Sequence, residues 1–492
     1  MVIHVNIKRL LKKVNNNKVI VFNHEINKLS DDSKNIVSND VFFAIKGYKY
    51  DGSDFVSEAI KNGAKTIIYE KDFRKEYHNI NYVKVDNVKR FLALCCKFFY
   101  KDITKKVKMI GVTGTNGKTT VSTVLMDYLS YSGEDTLLIG SNGIFYRDEH
   151  FYTNNTTPSI LKIYDVIESC YKKGLKYVVM EVSSIATREA RVLYFDFDVI
   201  IFTNVTHDHL DYHKNITDYK FSKAILLWKM KFDKNKVVVL NSDDENKDFY
   251  LSLTETNVIT YGVKNDAAIM AKNIVKNIYE SQYTVRVNNN DYKVKSSLIG
   301  GFNIYNILSV IATISFLKLS VSSFVEFLRI YIPVSGRMNR ITYNSRLIII
   351  DFAHTPNSVL NVLSNIKELS SHKLTVIIGC GGNRDTTKRN EIGLIALKYA
   401  DRVIFTTDNP RDENPMNIIN DMIKDTIENN FEIILDRKKA INYVLETSVK
   451  DEVIAILGKG SERIQIINGI NHPFSDKEVV YKWINNQKHR DN

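Results

Sequence analysis

The sequence predicts an α/β protein of three domains: a small N-terminal α/β domain, a central P-loop-type domain with a mostly parallel sheet, and a C-terminal, Rossmann-like doubly wound domain. Three observations carry this. An apolar strand runs into a Gly-rich loop and then a helix over 107–120, VKMIGVTGTNGKTT. Short apolar runs alternate with helical segments on both sides of that stretch, the pattern of parallel strands joined by helical crossovers. The alternation then starts afresh near Pro333. A chain of 492 residues holds roughly three domains of about 150 residues each. The pattern sets their bounds at 1–105, 106–334 and 335–492.

In the first domain VFFAI, TIIYE and YVKV read as strands and DFVSEAIKNGAK as a helix. VKRFLALCCKFFY repeats its apolar residues at helical spacing and closes the domain, with Cys95 and Cys96 as packing residues. Past the Gly-rich loop, TTVSTVLMDYLSY reads as an amphipathic helix, and TLLIG, YVVMEVSS and DVIIFTNV as strands. A parallel sheet covered on both faces keeps its ligands at the carboxyl ends of its strands. Glu181, Ser183, His207, Asp208 and His209 fall at such ends. Read alone they are either structural or a metal or phosphate site, and acid clustered with imidazole favours the second. In the last third LIIIDFAH, LTVIIGCGG, RVIFTTDNP, EIILD and VIAILGKG read as strands, the first four each followed by a helix. Pro158, Pro356 and Pro410 each follow a polar, turn-prone residue. The last two lie just past apolar strands, where rigid turns would shape a cleft.

The Gly-rich stretch carries the clearest chemistry. Gly114 and Gly117 let the backbone turn tightly enough to aim N–H groups at an anion, and the helix starting near Thr119 adds the positive end of its dipole. Lys118 supplies a mobile charge for phosphates, and the Thr119 hydroxyl is placed to ligate Mg²⁺. Five residues rather than four separate Gly111 from Gly117, so the loop is a shorter variant of the G-x-x-x-x-G-K-[ST] pattern. The alternative is a plain strand–turn–helix; the flanking apolar strand and helix favour nucleotide binding.

Composition excludes several classes. With 44% hydrophobic and 25% charged residues the chain has ordinary globular proportions. Its net charge of +12 comes from scattered lysines rather than a basic stripe, so no nucleic-acid partner is expected. Four cysteines, Cys95, Cys96, Cys170 and Cys380, lack metal-ligand or C-x-x-C spacing, which fits a reduced, cytoplasmic setting. No run approaches the length of a membrane span and the N-terminus lacks a signal-peptide core, so no membrane partner is expected either.

Several short stretches stand in a telling order: DDSK (31–34), GTNGKTT (114–120), NTTP (155–158), EVSS (181–184), DHLDYH (208–213), Lys223 in YKFSK, GGFNIYN (300–306), GRM (336–338), DFAHTP (351–356), GCGGNRD (379–385), DNPR (408–411) and GKGSE (458–462). In this order and spacing the chain resembles the Mur ligases along its whole length. Its motifs are most similar to the branch that adds the third amino acid, commonly diaminopimelate, to UDP-N-acetylmuramoyl-L-alanyl-D-glutamate. The resemblance implies ATP as substrate, two Mg²⁺ ions, a monomer, and a division of labour in which the three domains hold the UDP end, ATP and the incoming amino acid.

Carried over motif by motif, the resemblance places Ser33 and the nearby turn 47–52 at the uridine diphosphate. Asn155, Thr156, Thr157, Ser183, Glu189 and Arg191 fall on the rest of the UDP-muramoyl substrate. Gly114, Thr115, Asn116, Gly117, Lys118, Thr119 and Thr120 hold the phosphates, with Asn303, Asn306, Arg337 and Asp351 near the nucleotide. Thr119, Glu181 and His209 are the implied Mg²⁺ ligands, joined by Lys223 as a carbamate (N6-carboxylysine). Lys118, Lys223 and His209 are the implied catalytic set. Without the resemblance Lys223 would read as a solvated helix face. Arg384, Asp408, Asn409, Pro410, Arg411, Gly458 and Glu462 surround the amino acid. DNPR accompanies diaminopimelate, whose distal carboxylate Arg411 can grip through paired hydrogen bonds. The alternative for Arg411 is an exposed loop residue paired with Asp412 or Glu413. Lys34, Ile185, Glu189, Asn339, Asn383 and Ser461 stand where Arg, His, Gln, Glu, an acid and His are usual. None of these changes removes a phosphate or metal ligand. A relative adding lysine or another amine, or a ligase of the folylpolyglutamate or polyglutamate type acting on a different acid, is the alternative reading.

Overall fold

The structure, a computed structural model, describes residues 5–14, 22–47, 50–73, 77–153, 155–206, 208, 212–230, 233–332, 336 and 338–490. Three sheets dominate it. The first is four-stranded and wholly parallel, built from Leu29–Ser30, Val41–Phe43, Thr66–Tyr69 and Asn81–Lys84 in that spatial order. The helix Val88–Phe99 buries Cys95 and Cys96 as read from its periodicity. It does not merely close its own domain, however. One continuous core runs from Ile7, Leu92 and Phe99 into Ile163, Tyr164 and Phe195 of the middle domain. Tyr100 stacks on Tyr164 at 5.0 Å and donates its hydroxyl to Asp165 at 2.5 Å.

The second sheet has eleven strands. Its centre is parallel, with Lys108–Thr113 between Tyr177–Glu181 and Val199–Phe202. Thr136–Gly140 lies outside Tyr177–Glu181, while Val237–Asn241 and Asn257–Gly262 extend the other side. Buried on both faces, the inner strands Tyr177–Glu181, Val199–Phe202 and Val237–Asn241 are largely runs of Val, Ile and Leu with no polar alternation. The register sets Glu181 beside Val112 and Phe202 beside Thr113, so three strands end together where the Gly-rich loop begins. The helix Lys118–Tyr131 is less amphipathic than read. Its hydroxyl-bearing side, Thr119, Thr120, Ser122 and Thr123, is buried along with Val121, Val124 and Leu125, because the helix Gly301–Phe316 packs against it and the two share one core. An antiparallel meander, Ile269–Lys276, Ser281–Val287 and Asn290–Ser296, finishes the sheet.

The third sheet is six-stranded. The strands read from the sequence are Arg346–Asp351, Val453–Leu457, Leu374–Ile378, Arg402–Phe405 and Phe431–Ile433, all parallel in that spatial order, with Asn339–Tyr343 antiparallel at the edge. The last strand in sequence inserts between the first two, so the order switches there, and a crevice opens at the carboxyl ends by Asp351, Gly458 and Gly379. Pro356 starts the helix Pro356–Leu369 at its first position rather than making a free turn, with Thr355 and Ser358 in a reciprocal capping box. Among the described residues no helix is long and apolar enough to cross a membrane.

Candidate active site

The Gly-rich loop is braced from the neighbouring strand end. Thr115 N–H donates to the Asn204 carbonyl at 2.8 Å, and Asn116 N–H to Asn204 Oδ1 at 2.9 Å. Thr203 Oγ1 returns a bond to the Asn116 carbonyl at 2.6 Å. Gly117, at φ 87°, is both turn and N-cap, and a Cβ there would collide with Asn306 Oδ1. No side chain caps the helix it starts; its positive end is presented to the cleft. Lys118 is half-buried and folds back over the loop, with Nζ donating to the Gly114 and Thr115 carbonyls, each at 2.8 Å.

Behind Thr119 lies a buried carboxylate. Glu181 accepts from Thr119 Oγ1 at 3.1 Å, from Ser141 N–H at 2.9 Å and from Ser141 Oγ at 3.0 Å. Ser141 Oγ also lies 3.0 Å from Thr156 Oγ1, so one hydroxyl links the acid to the NTTP loop. A carboxylate and hydroxyls beside a phosphate cradle are the hard oxygen donors that Mg²⁺ takes. Lys223, on the helix Ile216–Ala224, is buried to 1%. Its Nζ donates to the Gly114 carbonyl at 3.0 Å and lies 4.4 Å from the Tyr219 ring centre. Burial, with the Lys118 charge acting the same way and Asp208 opposing, holds the Lys223 amine well below the usual lysine range.

Across the same cleft stands the C-terminal domain. Gly458, at φ 109°, passes so close to Asp408 that a Cβ would lie 2.7 Å from its Oδ2. Asn409 donates through Nδ2 to Glu462 Oε2 at 2.9 Å, and its Oδ1 accepts from Ile466 N–H at 3.0 Å. Arg411 sits at φ 53°, uncommon for a non-glycine residue. Bonds to the hairpin Ile464–Ile467 and Ile470–Pro473 hold it there: Arg411 N–H to the Ile466 carbonyl at 3.0 Å, and Asn468 N–H to the Arg411 carbonyl at 2.7 Å. Its guanidinium reaches the Gly382 carbonyl at 2.7 Å, and burial and then Arg384 push its pKa down. Glu413 does not serve as its counter-ion, being paired with Arg389 at 2.9 Å.

A cleft of about 410 Å³ joins the two sides. It is lined by Thr115, Asn116, Gly117, Lys118, Thr119, Thr120, Asn155, Thr156, Glu181, Ser183 and Lys223 from the middle domain, and by Arg384, Asp408, Asn409, Arg411, Gly458 and Glu462 from the last. Other residues picked out from the sequence do their work behind it. Gly114 supplies the carbonyl that both lysines share. Thr157 is buried, donating to the Glu181 carbonyl at 2.8 Å, while Arg191 holds the Thr157 carbonyl at 2.7 Å. Glu189 is paired with Lys89 of the first domain and accepts from Tyr212 Oη at 2.9 Å. Asn303 and Asn306 are bonded to each other at 2.9 Å beneath Gly117. Asp351 accepts from Met338 N–H at 2.7 Å and Ala353 N–H at 2.8 Å, tying down the entry to the last domain. The Pro410 carbonyl abuts Gly382. Ser33, in the first domain, donates to Glu58 Oε2 at 2.5 Å. His209 and Arg337 lie outside the described residues.

Sequence reasoning missed Ser141, Thr203, Asn204, Tyr219 and Lys459. The first three sit one or two residues past apolar strands, at the same sheet edge that drew attention to Glu181, and that position was the available signal. Lys459 hides in GKGSE as a residue that is 0% exposed.

A doubly wound sheet ending in an uncapped Gly-loop helix, faced across one cleft by a second pocket of paired charges, defines a nucleotide-binding protein with a second ligand site. The chain belongs to the Mur ligase family. Residues 112–314 match the Mur ligase middle domain, 336–460 the Mur ligase glutamate ligase domain, and 25–100 the Mur ligase family catalytic domain. It is 37% identical to a UDP-N-acetylmuramoyl-L-alanyl-D-glutamate--2,6-diaminopimelate ligase of Bacillus cereus over 94% of each chain. It is 35% identical to the enzyme of that name from Clostridium tetani, over 98% of this chain and 99% of that one. A solved structure of a ligase with the same name superposes with TM-score 0.71 at 26% identity, covering 99% of this chain and 100% of that one. The fold alone is shared with a MurF ligase from Thermotoga maritima in complex with ADP, TM-score 0.63 at 19% identity over 94% and 98% of the two chains.

Proposed function

We propose that this protein is an ATP-dependent amide ligase that adds meso-diaminopimelate to the D-glutamate of UDP-N-acetylmuramoyl-L-alanyl-D-glutamate, in peptidoglycan precursor synthesis in the cytoplasm, as a monomer. The observation that carries the reading is the single cleft in which Lys118 and Glu181 face Arg411 and Glu462. In this reading residues 1–105 hold the UDP end, 106–334 the nucleotide and 335–492 the amino acid. Ser33 serves the uridine diphosphate, and Asn155, Thr156 and Ser183 the muramoyl peptide, with Thr157, Glu189 and Arg191 as the frame behind them.

The chemistry asks for this layout. A carboxylate is a poor electrophile, so its oxygen first attacks the γ-phosphorus of ATP, the bond to ADP breaks, and an acyl phosphate forms. The amine then attacks the acyl carbon and phosphate leaves with the bonding pair. Two anions must meet in the first step, and Lys118 with the helix N-terminus offsets their repulsion and holds them in line. Thr119 and Glu181 fit Mg²⁺, and bound ions supply further charge neutralisation at the phosphates. Lys223 fits a carbamate: CO₂ adds only to a neutral amine, and the burial that keeps this amine neutral also leaves it beside the loop. The N–C bond forms, a proton leaves, and a neutral amine in a crowded positive site becomes an anionic oxygen donor. Asp408 and Glu462 take the ammonium groups of the incoming amino acid, and Arg411 and Arg384 its distal carboxylate.

The test is ADP release by the purified protein with the UDP-muramoyl dipeptide and a panel of amino acids. Release that depends on both the dipeptide and diaminopimelate supports the reading. Release that no amino acid stimulates, or that follows folate or polyglutamate instead, overturns it.

A further inference from the structure

Behind the amino-acid pocket lies a charged group with no place in the chemistry above. Lys459 is 0% exposed, held between Gly458 and Gly460. Its Nζ donates to Glu462 Oε2 at 2.7 Å and to Asn409 Oδ1 at 3.0 Å. Asn409 closes the triangle by donating to that same Glu462 oxygen at 2.9 Å. Glu462 is thereby divided. Oε2 is committed inward to two donors, whereas Oε1 belongs to a side chain 34% exposed at the cleft wall. A buried ammonium without its carboxylate is costly, so the pair locks the glutamate in one rotamer.

The charges around the pocket make the second half of the argument. Arg384, Lys388 and Arg411 stand against Asp385, Asp408 and Glu462 along the cleft wall, with Asp412 acting on Arg411 from beside it, and Lys459 adds one positive charge behind the wall. An amino acid attacks through a neutral α-amine. In that form one with a single carboxylate and a distal ammonium is neutral, while one with a second carboxylate at the distal end is a monoanion. The positive charge of Lys459 favours the monoanion over the neutral amino acid.

We infer that Lys459 is a specificity-determining positioning residue: it fixes Glu462 so that one oxygen faces the distal ammonium, and tips the pocket toward an amino acid carrying a second carboxylate. This rests on the ligase reading. The experiment measures ADP release against diaminopimelate and L-lysine for the wild type, Lys459→Met, and the double variant Lys459→Met/Glu462→Gln, which removes the buried pair together and keeps the test valid where the single variant fails to fold. For Lys459→Met we expect KM for diaminopimelate to rise about tenfold and the kcat/KM preference over lysine to fall by about the same factor, with KM for ATP and saturating kcat within about threefold of wild type. The double variant is expected to melt near wild type while the preference stays lost. A preference intact in either variant, or a Lys459→Met that lowers only kcat, overturns the inference alone. A wild type that no amino acid stimulates overturns the ligase reading and this inference with it.

Discussion

The two sides of the cleft are built on opposite plans. At the phosphate side one contiguous stretch, Gly114 to Thr120, provides backbone geometry and charge, and neighbouring strand ends only brace it. At the side proposed for the amino acid the parts come from separated segments, Gly381 to Arg384, Asp408 to Arg411, Gly458 to Glu462 and the hairpin beyond, and they are assembled by buried side-chain bonds. The first plan suits a ligand that every nucleotide presents alike. The second suits a ligand that must be told from close analogues, because unpaired buried charges penalise the wrong one.

Breaking the first side costs turnover. Lys118→Ala is expected to lower kcat by about 10³-fold with an unchanged fold, since Nζ donates to loop carbonyls at the half-buried surface and packs in no apolar core; near-normal ADP release would remove this loop from the catalytic role. Lys223→Ala should lose about 10²- to 10³-fold and regain part of it with short carboxylic acids. Mass analysis under bicarbonate that finds only the free amine in active enzyme would refute the carbamate.

Breaking the second side costs discrimination. Arg411→Ala is expected to reduce the kcat/KM ratio of diaminopimelate to lysine by about thirtyfold or more, on the order of 2–5 kcal/mol for a buried charge-assisted pair. An unchanged ratio would take Arg411 out of the pocket.

A group outside both sides calibrates them. Asp127, on the phosphate-loop helix, is pushed up to about 6 by burial, the Tyr331 hydroxyl at 3.0 Å pulling the other way. The fold thus favours its protonated form, a contribution present at pH 4 and lost as pH rises through about 6. Asp127→Asn should match wild type in melting at pH 4 and exceed it at pH 8 by up to about 3 kcal/mol. Equal melting at both values would mean the site is wetter than its burial implies. The smallest effect belongs to the join between the sides. Ser461 Oγ donates to Asn142 Oδ1 at 2.9 Å, linking last domain to middle. Ser461→Ala should cost about 1 kcal/mol, read as a rise in KM for the amino acid of at most about fivefold, with kcat unchanged.

What the sequence made legible follows the same division. The phosphate loop is local, so strand, turn, Lys118 and Thr119 could be read in a line, and the strands of the last domain stood out as apolar runs. The helix Lys118–Tyr131 reads as amphipathic from the sequence, whereas packing against the helix Gly301–Phe316 on one side and the bond from Thr119 to Glu181 on another bury its hydroxyls as well. Ser141 and Thr156 are fifteen residues apart and meet only because strand order brings their loops together. Lys459 stands in the GKGSE stretch, but nothing there shows that it is buried, since a buried lysine is uncommon and its partner Asn409 is fifty residues away. Ser461 was visible as a departure from the family pattern, but not as a contact with Asn142. Glu189 fell on the substrate by resemblance, and its pairing with Lys89, a hundred residues off, is visible only in three dimensions.

The shared core between the first two domains has a consequence for how the molecule comes apart. Phe99, Ile163 and Phe195 lie in one apolar body, whereas the last domain has one core to itself and shares its other with the middle domain through Ile278 and Ile299, with Phe302 packed against it, beside polar contacts such as Gly301 N–H to Asn365 at 2.8 Å and Lys276 to Glu368 at 2.9 Å. Cooperativity follows buried apolar continuity. Heating should therefore resolve two calorimetric transitions, one for the first two-thirds of the chain melting as a unit and one for the last third. Limited proteolysis should release a two-domain fragment rather than three separate pieces.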